Sequence, residues 1–476
     1  MPRSLSRFLS TGLLLASISL PLSALAQASD PMIALDQSSL PDRFSEDLAE
    51  IASARRMALA GELSAAARAL GPSARAGNAA ALNLLGVLQT DLSAQGGGLY
   101  DPVAGVAALK EAADAGFPPA FHNLGLFYSE THAQSAPDLA AAARAFEAAV
   151  AMGYRPARLE LAQRLANGTG TAIDFARARA LATAAARDES SGAAEVLLGD
   201  LAFFETDRAA DIALALRHYE ASAAKGNGHG AHEAALIYYY GETGAVDLNA
   251  ARAFFAQALA GGEERARAFL IRVHANVGNP ARALALGVEA AALGDVAGQT
   301  ALWEVQAYGI GKAPDFNAAR ALAQSLRDKG AAEGSYLLGE MAYDGLGAPV
   351  DHIKALGLYR EAVARDPAHE AALFSLGFML MRGQGDARDY PAASRFLLRA
   401  HGAGSGDAVY DLALLHGHGD FAGPHQEPLR ALWACLTLEG QGADLAGEGL
   451  ERERATCVTA LETASSDDRA AAAALP

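Results

Sequence analysis

A degenerate motif recurs ten times along this chain and constrains its fold before any single residue is considered. Each copy holds a small residue, a Gly or Ala slot five residues later that usually follows Leu, a large residue, and often a closing Gly-x-Gly. The slot falls at Gly86, Gly125, Ala162, Gly199, Ala235, Ile271, Trp303, Gly339, Gly377 and Ala413. Successive spacings are 39, 37, 37, 36, 36, 32, 36, 38 and 36 residues. The small residue never fails: Ala81, Ala120, Ala157, Ala194, Gly230, Ala266, Gly298, Gly334, Ala372 and Ala408. A fixed period of this length marks a solenoid of stacked supersecondary units, not a compact enzyme domain.

The eighth copy shows what each unit should be. Gly334, Leu338, Met341 and Ala342 recur at three- and four-residue intervals and predict one apolar helical face. Gly339, lacking a Cβ, lets a second helix approach. Gly345 and Gly347 supply positive-φ turn positions, and Asp351 is the expected N-cap of the next helix. Ala355, Leu358, Tyr359 and Ala362 form the second apolar face. Neither helix can bury its stripe alone, so hairpins must stack. The sixth copy is short and runs from Val277-Gly278-Asn279-Pro280 straight into its second helix, which makes 275–281 a candidate hinge.

These residues resemble the Sel1-like repeat, a relative of the tetratricopeptide repeat: Leu338-Gly339, Gly345-x-Gly347, Lys354-Ala355 and Tyr359 match its pattern. The resemblance covers about residues 80–440 and is clearest in repeats eight, nine and two. Ala162, Ala235, Ile271, Trp303 and Ala413 depart from it by replacing the glycine. It implies an all-α fold, a right-handed α-solenoid of helix-turn-helix units, with a role in binding or assembly rather than catalysis.

The remaining segments divide as follows. Residues 1–26 read as a signal peptide: Arg3 and Arg7, an apolar run from Leu13 to Leu22, and a small-x-small site at Ala24-Leu25-Ala26. The run is too short to span a bilayer. The expected location is the bacterial periplasm. Residues 27–43 are a flexible lead-in, 44–78 a helical cap or degenerate repeat, 79–442 the ten repeats, and 443–476 a capping helix and tail. Losing Arg3 and Arg7 takes the formal charge from −17 to −19, which argues against nucleic acid and anionic lipid as partners. The two cysteines, Cys435 and Cys457, are expected to form a disulfide across the last helices, since export reaches an oxidising compartment.

Tetratricopeptide-like solenoids bind along the inner face of the first helix. If that geometry carries over, the concave groove of repeats four to ten presents Phe203, Phe204, His232, Tyr239, Tyr240, Tyr308, Tyr336, Glu340, Tyr343, Phe374, Phe378 and Tyr410. Asp200, Glu304, Glu333 and Asp344 add carboxylates to that surface. Tyrosine and phenylalanine give large contact area at low entropy cost; the alternative is that the rings only pack between helices. The partner expected there is a protein or peptide, with peptidoglycan or another glycan as the alternative.

Other chemistry is not supported. His416, His418 and His425, and the pair His229 and His232, lack a completed metal-ligand spacing, so no metal or cofactor is expected. The Gly-x-Gly turns follow no strand and precede no Walker lysine. No Gly-x-Ser-x-Gly elbow licenses a β-lactamase-like hydrolase, although the family resemblance raises that reading.

Overall fold

The computed structural model describes residues 40–41, 44–90, 98–130, 136–204, 211–421, 427–440 and 451–475. These contain 25 α-helices and no strand. The expected signal peptide, most of the lead-in and His425 lie outside the described residues. Two compact units divide the chain, and each is described by itself.

The first unit comprises described residues up to Asp247 together with 260–263. It opens with α1 (Ser45–Glu50), α2 (Ala52–Leu59) and α3 (Leu63–Arg75). Hairpins follow: α4 (Ala79–Thr90) with α5 (Pro102–Asp114), α6 (Pro118–Ser129) with α7 (Leu139–Ala151), and α8 (Ala157–Asn167) with α9 (Phe175–Asp188). Then come α10 (Ala193–Phe204) with α11 (Ile212–Ala224), and finally α12 (Gly228–Tyr240). Phe44, Ile51, Ala66 and Leu70 share one core with α4 and α5, so the leading helices cover the open end of the array.

The second unit comprises 248–259 and the described residues from Glu264 onward. Its helices are α13 (Leu248–Ala260), α14 (Ala266–Asn276), α15 (Pro280–Leu293), α16 (Val296–Tyr308) and α17 (Phe316–Asp328). They continue through α18 (Ala332–Asp344), α19 (His352–Arg365), α20 (Glu370–Arg382), α21 (Tyr390–Gly402) and α22 (Asp407–Gly417). α23 (Pro428–Gly440), α24 (Glu451–Thr463) and α25 (Ser466–Ala473) end the chain. A disulfide between Cys435 and Cys457 joins α23 to α24. Residues 275–281 lie inside this unit. Their short turn is well secured: Gly278 has a φ of 77°, and Asn279 caps α15 by accepting from the Arg282 amide.

The motif acquires a physical meaning in these hairpins. Even-numbered helices from α4 to α22 are the first helices of the repeats. Two positions five residues apart lie about 140° apart around such a helix, so they face different neighbours. The small residue faces the second helix of the preceding repeat: a Cβ on Gly334 would stand 2.1 Å from the backbone nitrogen of Arg327, and one on Gly298 would meet Ala290 at 2.6 Å. The Gly slot faces the repeat's own second helix, where Gly339 abuts Tyr359 and Gly199 abuts Tyr219. Each first helix is thus wedged between two second helices, and at these glycines neither joint has room for a Cβ. Where the slot is large, bulk moves across the joint: Trp303 is 2% exposed and packs with Ala319 and Ala323 of α17.

The turns obey one rule. Asp101, Asp138, Asp174, Asp211, Asp315, Asp351 and Asp389 each cap a second helix with the side chain, which satisfies an otherwise orphaned amide. In six of these the capping residue's own amide also donates to the carbonyl three residues after the slot, as Asp351 does to Ala342. Gly345 ends α18 with a φ of 69°, and Gly347, at 72°, presses on Phe316 at the start of the preceding second helix. The buried leucine of α18 is Leu337, at 1% exposure; Leu338 is half-buried because it lies beside the joint rather than in it.

Candidate functional site

Within each unit, first helices touch the first helices of adjacent repeats: α4 with α6, α8 with α10 and α10 with α12 in one; α14 with α16, α16 with α18 and α20 with α22 in the other. The first helices therefore form one closely packed layer within each unit. The aromatic residues predicted for the groove form patches within it.

In the first unit, Phe203 and Phe204 meet at a tilt of 47° with centroids 4.6 Å apart at the end of α10, and Phe204 is 41% exposed. Tyr239 and Tyr240 meet edge to face at 5.1 Å at the end of α12, both half-buried. Their neighbour Tyr238 points to the second-helix side and donates to Glu220 at 2.6 Å, which pushes its hydroxyl up to about 12. His232 is buried at 3% exposure, its Nδ1 3.2 Å from Glu233 Oε1, so it belongs to the wall rather than its surface. His229 lies within 3.8 Å of Glu233 and 3.7 Å of Glu263.

In the second unit, Tyr308 stands edge-on to Trp303 at 5.7 Å. Half-buried Tyr336 packs between Tyr359 at 5.7 Å and His369 at 5.2 Å. Tyr343 lies tilted against His352 at 5.1 Å and donates to Gln384 Oε1 at 3.2 Å. Phe378 carries the Arg382 guanidinium over its ring at 4.4 Å, a cation–π contact. Phe374 is buried at 8% exposure, and Tyr410 is half-buried against the last core.

Four of the five carboxylates predicted for this surface are engaged internally, and the fifth, Asp344, is exposed. Glu340 accepts the Tyr359 hydroxyl at 2.6 Å, and Asp200 accepts that of Tyr219 at 2.8 Å. In both repeats an acid one residue after the glycine slot takes a tyrosine twenty residues after it, and the tyrosine ring fills the joint. Burial raises both phenols well above their usual range, reinforced by the acids' charge. Burial also lifts Asp200 to about 6, with Tyr219 and His229 opposing. Glu304 holds Arg272 by two bonds of 2.5 and 3.0 Å. Glu333 binds His369 Nε2 at 3.0 Å, while His369 Nδ1 accepts the Ala372 amide and caps α20. Tyr219, Tyr359 and His369 lie outside the first helices and escape a reading confined to them, whereas Arg272 sits on first helix α14, one residue after its slot, as Glu304 does on α16; the acid-then-tyrosine interval is the sequence signal that would have found the two tyrosines.

His416 is likewise occupied: its Nε2 lies 2.8 Å from Ser394 Oγ and its Nδ1 accepts the Glu427 amide at 3.3 Å. It lines a cavity of about 540 Å³ with Thr456, Thr459 and Thr463 at the C-terminal end, away from the aromatic patches.

No family model matches this chain, and no curated protein does. Among solved structures it is similar to a protective antigen present in uropathogenic Escherichia coli strains that displays an SLR fold, at 23% identity, 86% coverage of each chain and a TM-score of 0.50. It is also similar to a Sel1 repeat protein from Oxalobacter formigenes, at 21% identity over 73% of this chain and 89% of that one, with a TM-score of 0.43. The first likeness is one of fold, and it agrees with the tandem hairpins, their twin small-residue joints and their glycine turns. The chain folds as an α-solenoid of Sel1-like repeats.

Proposed function

We propose that this protein is a non-catalytic periplasmic scaffold that docks a partner protein or peptide along its first-helix layer, in the assembly of an envelope or a secretion or export machine. The observation that carries this reading is the set of partly exposed ring pairs, Phe203 with Phe204 and Tyr239 with Tyr240, with Tyr336 and Tyr343 playing the same part in the second unit. Rigid aromatic anchors of this kind dominate polypeptide recognition. A glycan is the weaker fit, because four of the five acids that would take sugar hydroxyls are bonded to Tyr219, Tyr359, Arg272 and His369. Export is supported by the signal-like residues 1–26 and by the Cys435–Cys457 disulfide. Among the described residues no helix is long and apolar enough to cross a membrane.

The test is capture from an envelope extract with the full mature chain and with its Tyr239→Ala/Tyr240→Ala variant. A stoichiometric polypeptide held by the parent and released at least about tenfold faster by the variant supports the reading. Equal retention by both proteins, or retention on isolated peptidoglycan alone, overturns it.

A further inference from the structure

On the opposite side of the array lie the second helices, and α15 among them carries an exposed apolar stripe. α17 carries Arg320, Arg327 and Asp328, and α19 carries Lys354, Arg360, Glu361 and Arg365. Helix α15, fourteen residues long, has only Arg282 and Glu289. Its inner face is already satisfied: Ala283, Leu286, Gly287 and Ala290 are buried, with Gly287 tight against Leu302. Yet the outer face is apolar as well. Leu284 is 49% exposed and Val288 61%, and Ala281, Ala285 and Ala292 beside them are exposed. At 3.6 residues per turn these five occupy one arc of about 100°, the width of a stripe that normally faces a core. Just past the helix end, Leu293 is 61% exposed and Val296 38%.

Arg282 and Glu289 lie next to each other on one edge of that stripe, seven residues and about two turns apart. Arg282 makes no ion pair among the described residues, and Glu289, 49% exposed, has only a 3.8 Å approach from Arg267, whose closer partner is Asp295 at 2.7 Å. A two-fold axis perpendicular to the helix, centred between Ala285 and Leu286, brings this edge against its own copy with direction reversed. Arg282 of each copy then meets Glu289 of the other, while Leu284 and Val288 interleave and the alanines permit close approach. The edge is thus self-complementary in charge as well as apolar in surface.

We propose that the outer face of α15 is a homodimer interface and that its occupant is α15 of a second copy, packed antiparallel. One helix face is small for an interface, so the dimer is weak, with a Kd in the micromolar range or above. This goes beyond the docking role of the first-helix layer and uses the other side of the array.

Sedimentation velocity of the full mature protein over a wide concentration range tests it. The parent should shift from monomer to dimer, and Val288→Glu should weaken the dimer by about 100-fold or more. Arg282→Glu should weaken it about tenfold, Glu289→Arg likewise, and the double reversal should return it to within about threefold of the parent. Circular dichroism checks that each variant is folded. A parent that stays monomeric at hundreds of micromolar, a dimer indifferent to Val288→Glu, or a double reversal no better than either single change would each overturn the proposal. Partner capture through Tyr239 and Tyr240 should be unchanged in Val288→Glu, so the two readings fail separately.

Discussion

Replacing Gly339 by Ala tests the joint on which every hairpin depends. In an open helix this change stabilises by about 1 kcal/mol, because Ala restricts the unfolded chain and favours helix. Here the new Cβ would stand 2.5 Å from Tyr359 Cε1 and 2.7 Å from Cδ1. The ring cannot swing away freely, since Tyr359 is 1% exposed and its hydroxyl is tied to Glu340 at 2.6 Å. Overpacking costs about 1–3 kcal/mol, and losing a hydrogen bond to a charged acceptor costs about 1.5–3 more. The expected net effect is a destabilisation of about 3 kcal/mol. Gly357, on the outer side of α19, is the internal control, because no heavy atom lies within 4 Å of its built Cβ; Gly357→Ala should stabilise by about 1 kcal/mol. Urea titration by far-UV circular dichroism measures both, and amide exchange in α18 and α19 shows whether the loss is local. A Gly339→Ala/Tyr359→Leu double variant should lose at least about 1 kcal/mol less than the sum of its single changes. If Gly339→Ala is as stable as Gly357→Ala, the close-approach account of the repeat is wrong.

Two buried groups of the first unit should titrate with opposite effect. Asp200, raised by burial to about 6 from 3.8, contributes stability that is present below 3.8 and lost as pH rises through about 6. Asp200→Asn should therefore show no advantage at pH 3.5 and a gain of up to about 3 kcal/mol above pH 6.5, read by urea titration across pH; a gain independent of pH would contradict this. His122, pushed down by burial to about 4 from 6.5, contributes stability present above 6.5 and lost as pH falls toward 4, so the two slopes oppose each other in the parent and Asp200→Asn should lay the histidine's bare. Removing the disulfide as Cys435→Ala/Cys457→Ala, a bridge across 22 residues, should cost about 3 kcal/mol, with faster amide exchange confined to α23–α25; a loss spread over the unit would refute a local clasp. Trp303→Gly should leave a cavity costing about 3–5 kcal/mol, and adding Ala323→Tyr should recover most of it, with Glu304 in place to accept the hydroxyl; no recovery in thermal melts would show that bulk is not exchangeable across this joint.

How far the sequence could be read follows from which residues signal alone and which signal only in pairs. The small residues at Ala81 through Ala408 and the turn pair Gly345 and Gly347 act one at a time, each forced by a close approach or a positive φ, so the period and the helical hairpins were visible in the sequence. The slot itself is different. Judged on the first helix alone, Trp303 breaks the pattern and invites a suspicion of misregister. Judged with α17 alongside, it keeps the pattern, because Trp303 over Ala323 fills the space that Gly339 and Tyr359 fill two helices on. The same holds for the surface acids: Asp200 and Glu340 look like ligand contacts until the second helix brings Tyr219 and Tyr359 beneath them. What the joint requires is a combined volume and a matched polar pair across two helices, and no single position carries either quantity. Rings such as Tyr239 and Tyr240 stand at the end of their helix, beyond the reach of that joint, and this is why they remain partly exposed while the acids beside them are consumed. The residues left over once each joint has taken its pair are therefore the ones with surface to offer a partner: the rings at the ends of the first helices and the aliphatic stripe on the outside of α15.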